Sequence, residues 1–309
     1  MKRFSTLLAM VGVMCFTLMS THLPVLYAET GLSGYENMAK ITVTSEIKRV
    51  LSEKDAGLLS GTEAIRTTLK EMQKQVQSEI AAAGVGSWDA HFLPDVEAAI
   101  KEHIDNWGIT ANAGLGDTID KTWASGINLV NAPLVASGEL VIGSFGIPVE
   151  ILNVMKDFTF HKLDGVKNAA WDKIRSELTL GVLGGKTPHE VATAIGKNLT
   201  SPSIFKSIHD RANVITNTEL SRVFDKASHE QMKTAAAHVD GLKKQWRHDG
   251  HPKKPRSTHV AAHNQVQLVE EYFIIGSVEM MFPHDPAAPI GEVINCTCTQ
   301  VPYMDKWAA

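Results

Sequence analysis

Cysteine is nearly missing from this chain: 3 residues in 309. One of them, Cys15, falls in an apolar N-terminal run, so no disulfide framework of the kind that staples small secreted domains can form. A bridge between Cys296 and Cys298 would close a very small, strained loop. An excess of positive charge is missing too. Lys and Arg total 30 against 34 Asp and Glu, a formal net charge of -4. Bulk charge therefore does not coat nucleic acid, and any DNA contact requires a local basic patch. Beyond the N-terminal segment no apolar run reaches membrane-spanning length. Also absent are G-x-S-x-G, a P-loop, H-E-x-x-H and a G-x-G-x-x-G placed after a strand; "GVLGG" follows a helical pattern instead. No internal repeat or low-complexity tract is present.

What is there is ordinary globular material. Apolar residues make up 44% and charged residues 21%. The length suffices for two domains or one with a large core. The chain opens with Lys2 and Arg3, an apolar run from Phe4 to Met19, and Ala28 before an acidic residue. That pattern reads as a secretory signal. The alternative is a start at Met38, where "MAKITVTSEIKRV" looks like a cytosolic beginning. The organisation expected is a leader or mis-assigned start over 1–37, a helical region over 38–204 and a mixed module over 205–309. The fold class is α+β: a mainly α-helical N-terminal region followed by a small mixed α+β C-terminal domain.

Periodicity carries the helical assignment. Ile65, Leu69, Met72, Val76 and Ile80 recur at steps of three and four, predicting a helix over 62–84 capped by Thr62 and stopped by Gly84. Its polar face mixes both charge signs, which fits packing rather than membrane binding. Over 95–138, Val96, Ile100, Ile104 and Trp107 form one stripe and Leu115, Ile119 and Trp123 another, with a break expected at Pro133. Residues 139–160 are ambiguous. Residues 165–199 read as helix, glycine turn, helix, the second opening on Thr187, Pro188 and Glu190 as a capped start. One more helix is expected over 209–239. Strand-like pieces such as "VQLVEEYFII" follow, broken by prolines.

The residues able to carry chemistry cluster late in the chain. His259 and His263 stand four apart; His284, Asp285, Cys296 and Cys298 follow. His259, Cys296 and Cys298, with one of His263, His284 or Asp285, would close a tetrahedral zinc site. The C-x-C spacing argues against this, because an extended backbone sends alternate side chains to opposite sides; the other reading is two half-buried thiols in a terminal strand. Arg256 and His259 with Asp249 would serve a loop-fixing hydrogen-bond network. Trp246 reads as core. Thr218 and Glu219 read as polar buttresses of the loop, with Glu219 and His259 the candidates for acid–base work if the chain is an enzyme. The run "KKQWRHDGHPKKPR" reads as a solvated loop, or as a local patch for DNA phosphate or an acidic partner.

Taken in order, "VITNTELSRVFDKA", "QWRHDG", "PRSTHVAAHNQ" and "FPHDPAAPIGEVINCTC" resemble the C-terminal domain of the phage Mu F-like head morphogenesis, or minor head, proteins. The residues carrying the resemblance are Thr218, Glu219, Trp246, Asp249, Arg256, His259, Phe273, Pro283, Asp285, Asn295, Cys296 and Cys298, all within about the last 100 positions. Two positions depart from the family pattern: Thr297 replaces an arginine between the cysteines, and Asn264 replaces a turn glycine whose left-handed backbone asparagine tolerates. The resemblance implies a virion component without catalysis. Such a protein associates with the portal and other capsid parts, in some cases with packaged DNA, and is assembled in the host cytoplasm. It has no membrane span in the mature chain, and self-association is a further possibility. The competing readings are an exported, toxin-like metal-dependent hydrolase or nuclease using His259 and Glu219, and a secreted interaction protein.

Overall fold

Apolar residues repeating every three or four positions set up a bundle of long helices: α1 (Leu26–Ala82), α2 (Leu93–Ala136), α3 (Val149–Leu183) and α5 (Ile204–Ala236), with a short α4 (Pro188–Ile195) between the last two. The computed structural model describes residues 26–83, 91, 93–139, 147–196, 199, 202–248 and 254–308. The chain divides into two units, Met1–Met38 and Ala39–Ala309; the cores and sites below lie within the second. The leader-like run up to residue 25, Gly84 and Asp249 lie outside the described residues.

The expected stripes are the core. Ile65, Leu69, Met72, Val76 and Ile80 of α1 are buried with Ile100, Ile104, Trp107, Leu115, Ile119 and Trp123 of α2. Leu163, Val166, Ala170, Ile174 and Leu178 of α3 join them, as do Phe205, Ile208, Leu220 and Val223 of α5. Two boundaries differ from expectation. Thr62 is no cap: its hydroxyl bonds the Leu58 carbonyl inside a continuous α1. The buried phase runs on upstream through Lys54, Val50 and Val43, so packing overrides a local start signal. Nor does Pro133 end α2, which continues to Ala136; the proline is buried in the final turn, where the packing of Val130, Pro133 and Leu134 outweighs the lost amide. Of the ambiguous stretch 139–160, residues 149–160 form the start of α3 after Pro148, and residues 140–146 lie outside the described residues. At α4 the expected cap forms. The Glu190 amide donates to the Thr187 hydroxyl at 3.3 Å, and the Glu190 carboxylate accepts from the Thr187 amide at 2.7 Å.

The C-terminal elements are β1 (Lys243–Arg247), α6 (Ser257–Ala261), β2 (Val266–Leu268), β3 (Phe273–Ile275), β4 (Val278–Met280), α7 (Ile290–Val293), β5 (Thr299–Tyr303) and α8 (Asp305–Ala308). They make an antiparallel sheet in the order β2-β1-β5 and a separate β3-β4 hairpin. The class is thus α+β: a helical N-terminal region followed by a small sheet-and-helix region. The first part of the basic run is no solvated loop. "KKQWR" is the central strand, with Lys243 opposite Tyr303 and Arg247 opposite Thr299. Lys244 within it is fully buried, donating to the Met281 carbonyl at 2.6 Å. Two small apolar cores tie strand to bundle. Val301 of β5 meets Val50, Leu129 and Phe224, and Met304 meets Val130, Leu134 and Met232. A further core of Trp246, Phe273, Ile275, Met280 and Val293 underlies the cysteines. Among the described residues no helix is long and apolar enough to cross a membrane.

Candidate metal centre

Three pieces of chain converge next to Trp246: the end of β1, the helix α6 and the connection from α7 into β5. Short α6 presents His259 inward, 2% exposed. The ring of Trp246 meets it edge-on at 5.6 Å and meets Phe273 likewise at 5.3 Å, so the imidazole rests on a rigid aromatic wall. After α7 the backbone reverses at Asn295, which adopts φ +52°, and only then reaches Cys296. Strand β5 starts at Thr299, so the two cysteines precede it. This removes the expected objection to C-x-C. The segment is not a regular strand, and its two thiols face one partner together.

His259 Nδ1 lies 3.3 Å from Cys296 Sγ and 3.5 Å from Cys298 Sγ. All three ligand atoms lie within 4.8 Å of one another, and all three residues are buried. Metal–ligand lengths of about 2.3 Å to sulfur and 2.0–2.1 Å to nitrogen, at a tetrahedral angle, give an N···S edge of about 3.5 Å. The observed edges match it. The small pocket beside them has a volume of ≈ 20 Å³, enough for one ion or one water. The group can therefore hold a metal ion.

The surroundings suit that role. With Nδ1 turned to the sulfurs, His259 presents Nε2 to Glu292, 2.8 Å away. A carboxylate on the far nitrogen fixes the tautomer and ring orientation of a ligating histidine. Arg256 caps the arrangement, donating from Nη2 to the Ile294 carbonyl at 2.8 Å with Nε 4.0 Å from Glu292. Electrostatics put the first negative charge on Cys296. A hydrogen bond from the Cys298 thiol holds it well below the ordinary thiol range, and against the cost of burial His259 and His284 add to the effect. That same bond, with burial, pushes Cys298 up. Burial alone would lower His259, but Cys296 and Glu292 outweigh it and raise it.

The expected fourth ligand is not among the three residues named for it. His263 Nδ1 accepts from the His248 amide at 3.0 Å. Asp285 accepts from the amides of Met281 and Ala287 at 2.8 and 2.9 Å, closing a turn. His284, fully buried at φ +65°, lies 2.7 Å from Asp225 through Nδ1 and 2.9 Å from the Cys296 carbonyl through Nε2. Burial opposes its charge, yet Asp225 and Cys296 raise it to about 9. The approach comes instead from His248, whose Nδ1 is 3.7 Å from Cys298 Sγ.

The remaining expected site residues are structural partners. Thr218 Oγ1 accepts from the Asn295 amide at 3.2 Å and so holds the reversal before Cys296. Glu219 is paired with Arg222, which donates in turn to the His284 carbonyl at 3.1 Å. Burial raises the Glu219 carboxyl, with Arg222 opposing. Sequence reasoning missed His248, Glu292, Arg222 and Asp225. Local pattern gave little warning: buried Glu219, Arg222, Asp225 and Ser228 recur every third residue of α5 and wind round it, so that Ser228 lies on the side opposite Glu219. Asp225 uses its position fully, accepting from Thr299 Oγ1 at 2.5 Å and, through its carbonyl, from Gln300 at 3.1 Å.

Among known proteins the chain is 29% identical over 158 residues to a protein of Bacillus subtilis (strain 168) named "Uncharacterized protein YqbB". The match covers 50% of this chain and 49% of that relative, so the chain spans about half the length of the protein it resembles. No family model matches the chain. No solved structure matches it.

Proposed function

We propose that the chain is a non-enzymatic minor head protein of the phage Mu F-like kind, whose C-terminal module is clasped by a structural zinc ion and whose helical region offers surfaces to the portal and other capsid components. The observation that carries this reading is the occupancy of every candidate group. His259 is enclosed between two thiols and Glu292, and Glu219 is committed to Arg222. Neither is placed to serve as a free base for hydrolysis. Thr218, Arg256 and Asn295, from the same ordered set of motifs, make contacts that position the cysteine segment. Within this reading His259, Cys296 and Cys298 hold the ion, with His248 the nearest further donor. Zinc supplies there a cross-link between α6 and the start of β5, worth most in a module whose own core is small.

Two measurements test the proposal. Protein purified reduced and without chelator carries close to one zinc per chain, and Cys296→Ser and Cys298→Ser each lose it; a metal-free wild type removes the zinc. Heads purified from the producing strain contain the chain at a fixed stoichiometry; its absence from assembled particles removes the head assignment. Assembly in the host cytoplasm belongs to the same proposal, and secretion to the alternative in which the leader-like segment acts as a signal.

A further inference from the structure

A second concave site opens between α1 and the cysteine segment. It has a volume of ≈ 410 Å³, within the range of small-ligand sites, about 300–1,000 Å³. Its lining is charged in one sense. Lys48 and Lys54 come from α1 and Arg247 from the end of β1, joined by His248 and His263; the sole carboxylate among the described lining residues is Asp55, which has an interaction of its own. Among the described residues no carboxylate pairs with Lys48, Lys54 or Arg247. Arg247 has only Asn264 Oδ1, 3.1 Å from Nη1.

Lys54 is the decisive group. It is 5% exposed, and its ammonium sits 5.1 Å over the Phe224 ring. A cation–π contact contributes about 0.5–2 kcal/mol, whereas removing an ammonium from water costs several. Lining an open pocket with no carboxylate paired to it among the described residues, this ammonium is placed to meet an anion there. Donors without partners point the same way. The Thr297 hydroxyl, on the pocket wall, is buried with no hydrogen bond. His263 accepts through Nδ1 from the His248 amide, which leaves its Nε2–H free to donate. Ile47 and Leu51, beside Lys48 and Lys54 on α1, add apolar surface to the lining. A tetrahedral oxyanion with several acceptor oxygens matches three cations and two neutral donors, whereas a carboxylate would leave part of the set unanswered.

We infer that this pocket is a phosphate-binding site, in which Lys48, Lys54 and Arg247 hold the oxyanion and Ile47 and Leu51 receive whatever the phosphate carries. The phosphate group is the shared chemistry of two sources: a free phosphate or nucleotide, and the backbone of a DNA strand. The inference stands apart from the head assignment, since phosphate binding and particle association are separate measurements.

The test is calorimetric titration of the full chain with inorganic phosphate, with a deoxynucleoside monophosphate and with a short single-stranded DNA, each at low and physiological salt. At least one probe binds with a dissociation constant below about 1 mM. Lys48→Gln and Arg247→Gln each weaken binding about tenfold, whereas Lys206→Gln, on α5 outside this pocket, leaves it unchanged. Binding by the small anions alone identifies a free phosphate ligand. Stronger, salt-sensitive binding of the strand identifies a DNA backbone ligand. Failure of all three probes overturns the inference, as does wild-type affinity in the variant carrying both Lys48→Gln and Arg247→Gln. Should Arg247→Gln disturb the sheet, exposed Lys48→Gln alone decides.

Discussion

Asn264, His284 and Asn295 all hold left-handed backbone, at φ +69°, +65° and +52°, and all three lie in the C-terminal module. For side chains other than glycine this conformation costs free energy and persists where surrounding contacts fix it. At Asn295 the fixing contact is the hydrogen bond that its backbone amide donates to Thr218 Oγ1. Thr218→Ala leaves that amide without its partner in a half-closed site, and the expected loss is about 1–3 kcal/mol in denaturant titration. Thr218→Ser restores most of it; a serine variant as weak as alanine would show that the methyl group, not the hydroxyl, matters. The family resemblance marked Asn264 as the turn position, which asparagine tolerates, and the sequence offered the meeting of His259 with the cysteines as one of two readings. It could not announce His248 or Glu292. Their roles depend on where β1 stops and how α7 is aimed, and no local pattern encodes either.

Between elements, α2 and α5 approach each other closely at Gly126. A Cβ at Gly126 would overlap the Phe224 carbonyl and lie 2.7 Å from Ala227 Cβ. The glycine weakens its own helix by about 1 kcal/mol relative to alanine, and the site accepts this because the two backbones must nearly touch. Gly126→Ala therefore destabilises the protein despite improving helix propensity, by about 1–3 kcal/mol or more, as overpacking does. A rise in melting temperature would refute the close crossing. Helix existence was legible at this scale because the apolar stripes of α1, α2 and α5 are strongly periodic. Helix ends were not: Thr62 and Pro133 carry the right local chemistry for boundaries, yet buried Val43, Val50 and Leu134 extend the helices past both. The central strand was hidden for a related reason. Lys244 looks like a surface residue until β2 and β5 close on either side of it and its ammonium finds the Met281 carbonyl.

For the molecule as a whole, acid sensitivity is set where α5 meets the strand region. His229 is 3% exposed, stacks on Phe282 with ring centroids 5.1 Å apart, and has its Nδ1 buried without a hydrogen-bond partner. Burial first, and then Lys244, lower its pKa to about 3; Glu230 opposes them, and Lys226 and Lys233 add lesser effects in the same downward direction. In the unfolded chain the same ring titrates near the ordinary value of about 6.5. The folded value is the depressed one, so the unfolded state binds the extra proton between these limits. The stability tied to neutral His229 is fully present above about pH 6.5 and drains away as pH falls toward about 3, with a slope of up to about 1.4 kcal/mol per pH unit. His229→Phe keeps the stack on Phe282 and removes the proton site. Urea midpoints measured at pH 7, 5 and 4 should fall more gently in that variant than in the wild type, the two curves diverging only below about pH 6.5. Glu230, whose own carboxyl is held low by Lys226 against its burial, stays in both proteins and so cancels from the difference. Parallel acid limbs in the two proteins would mean that His229 reaches water and titrates alike in both states, and the buried stack on Phe282 would then be wrong.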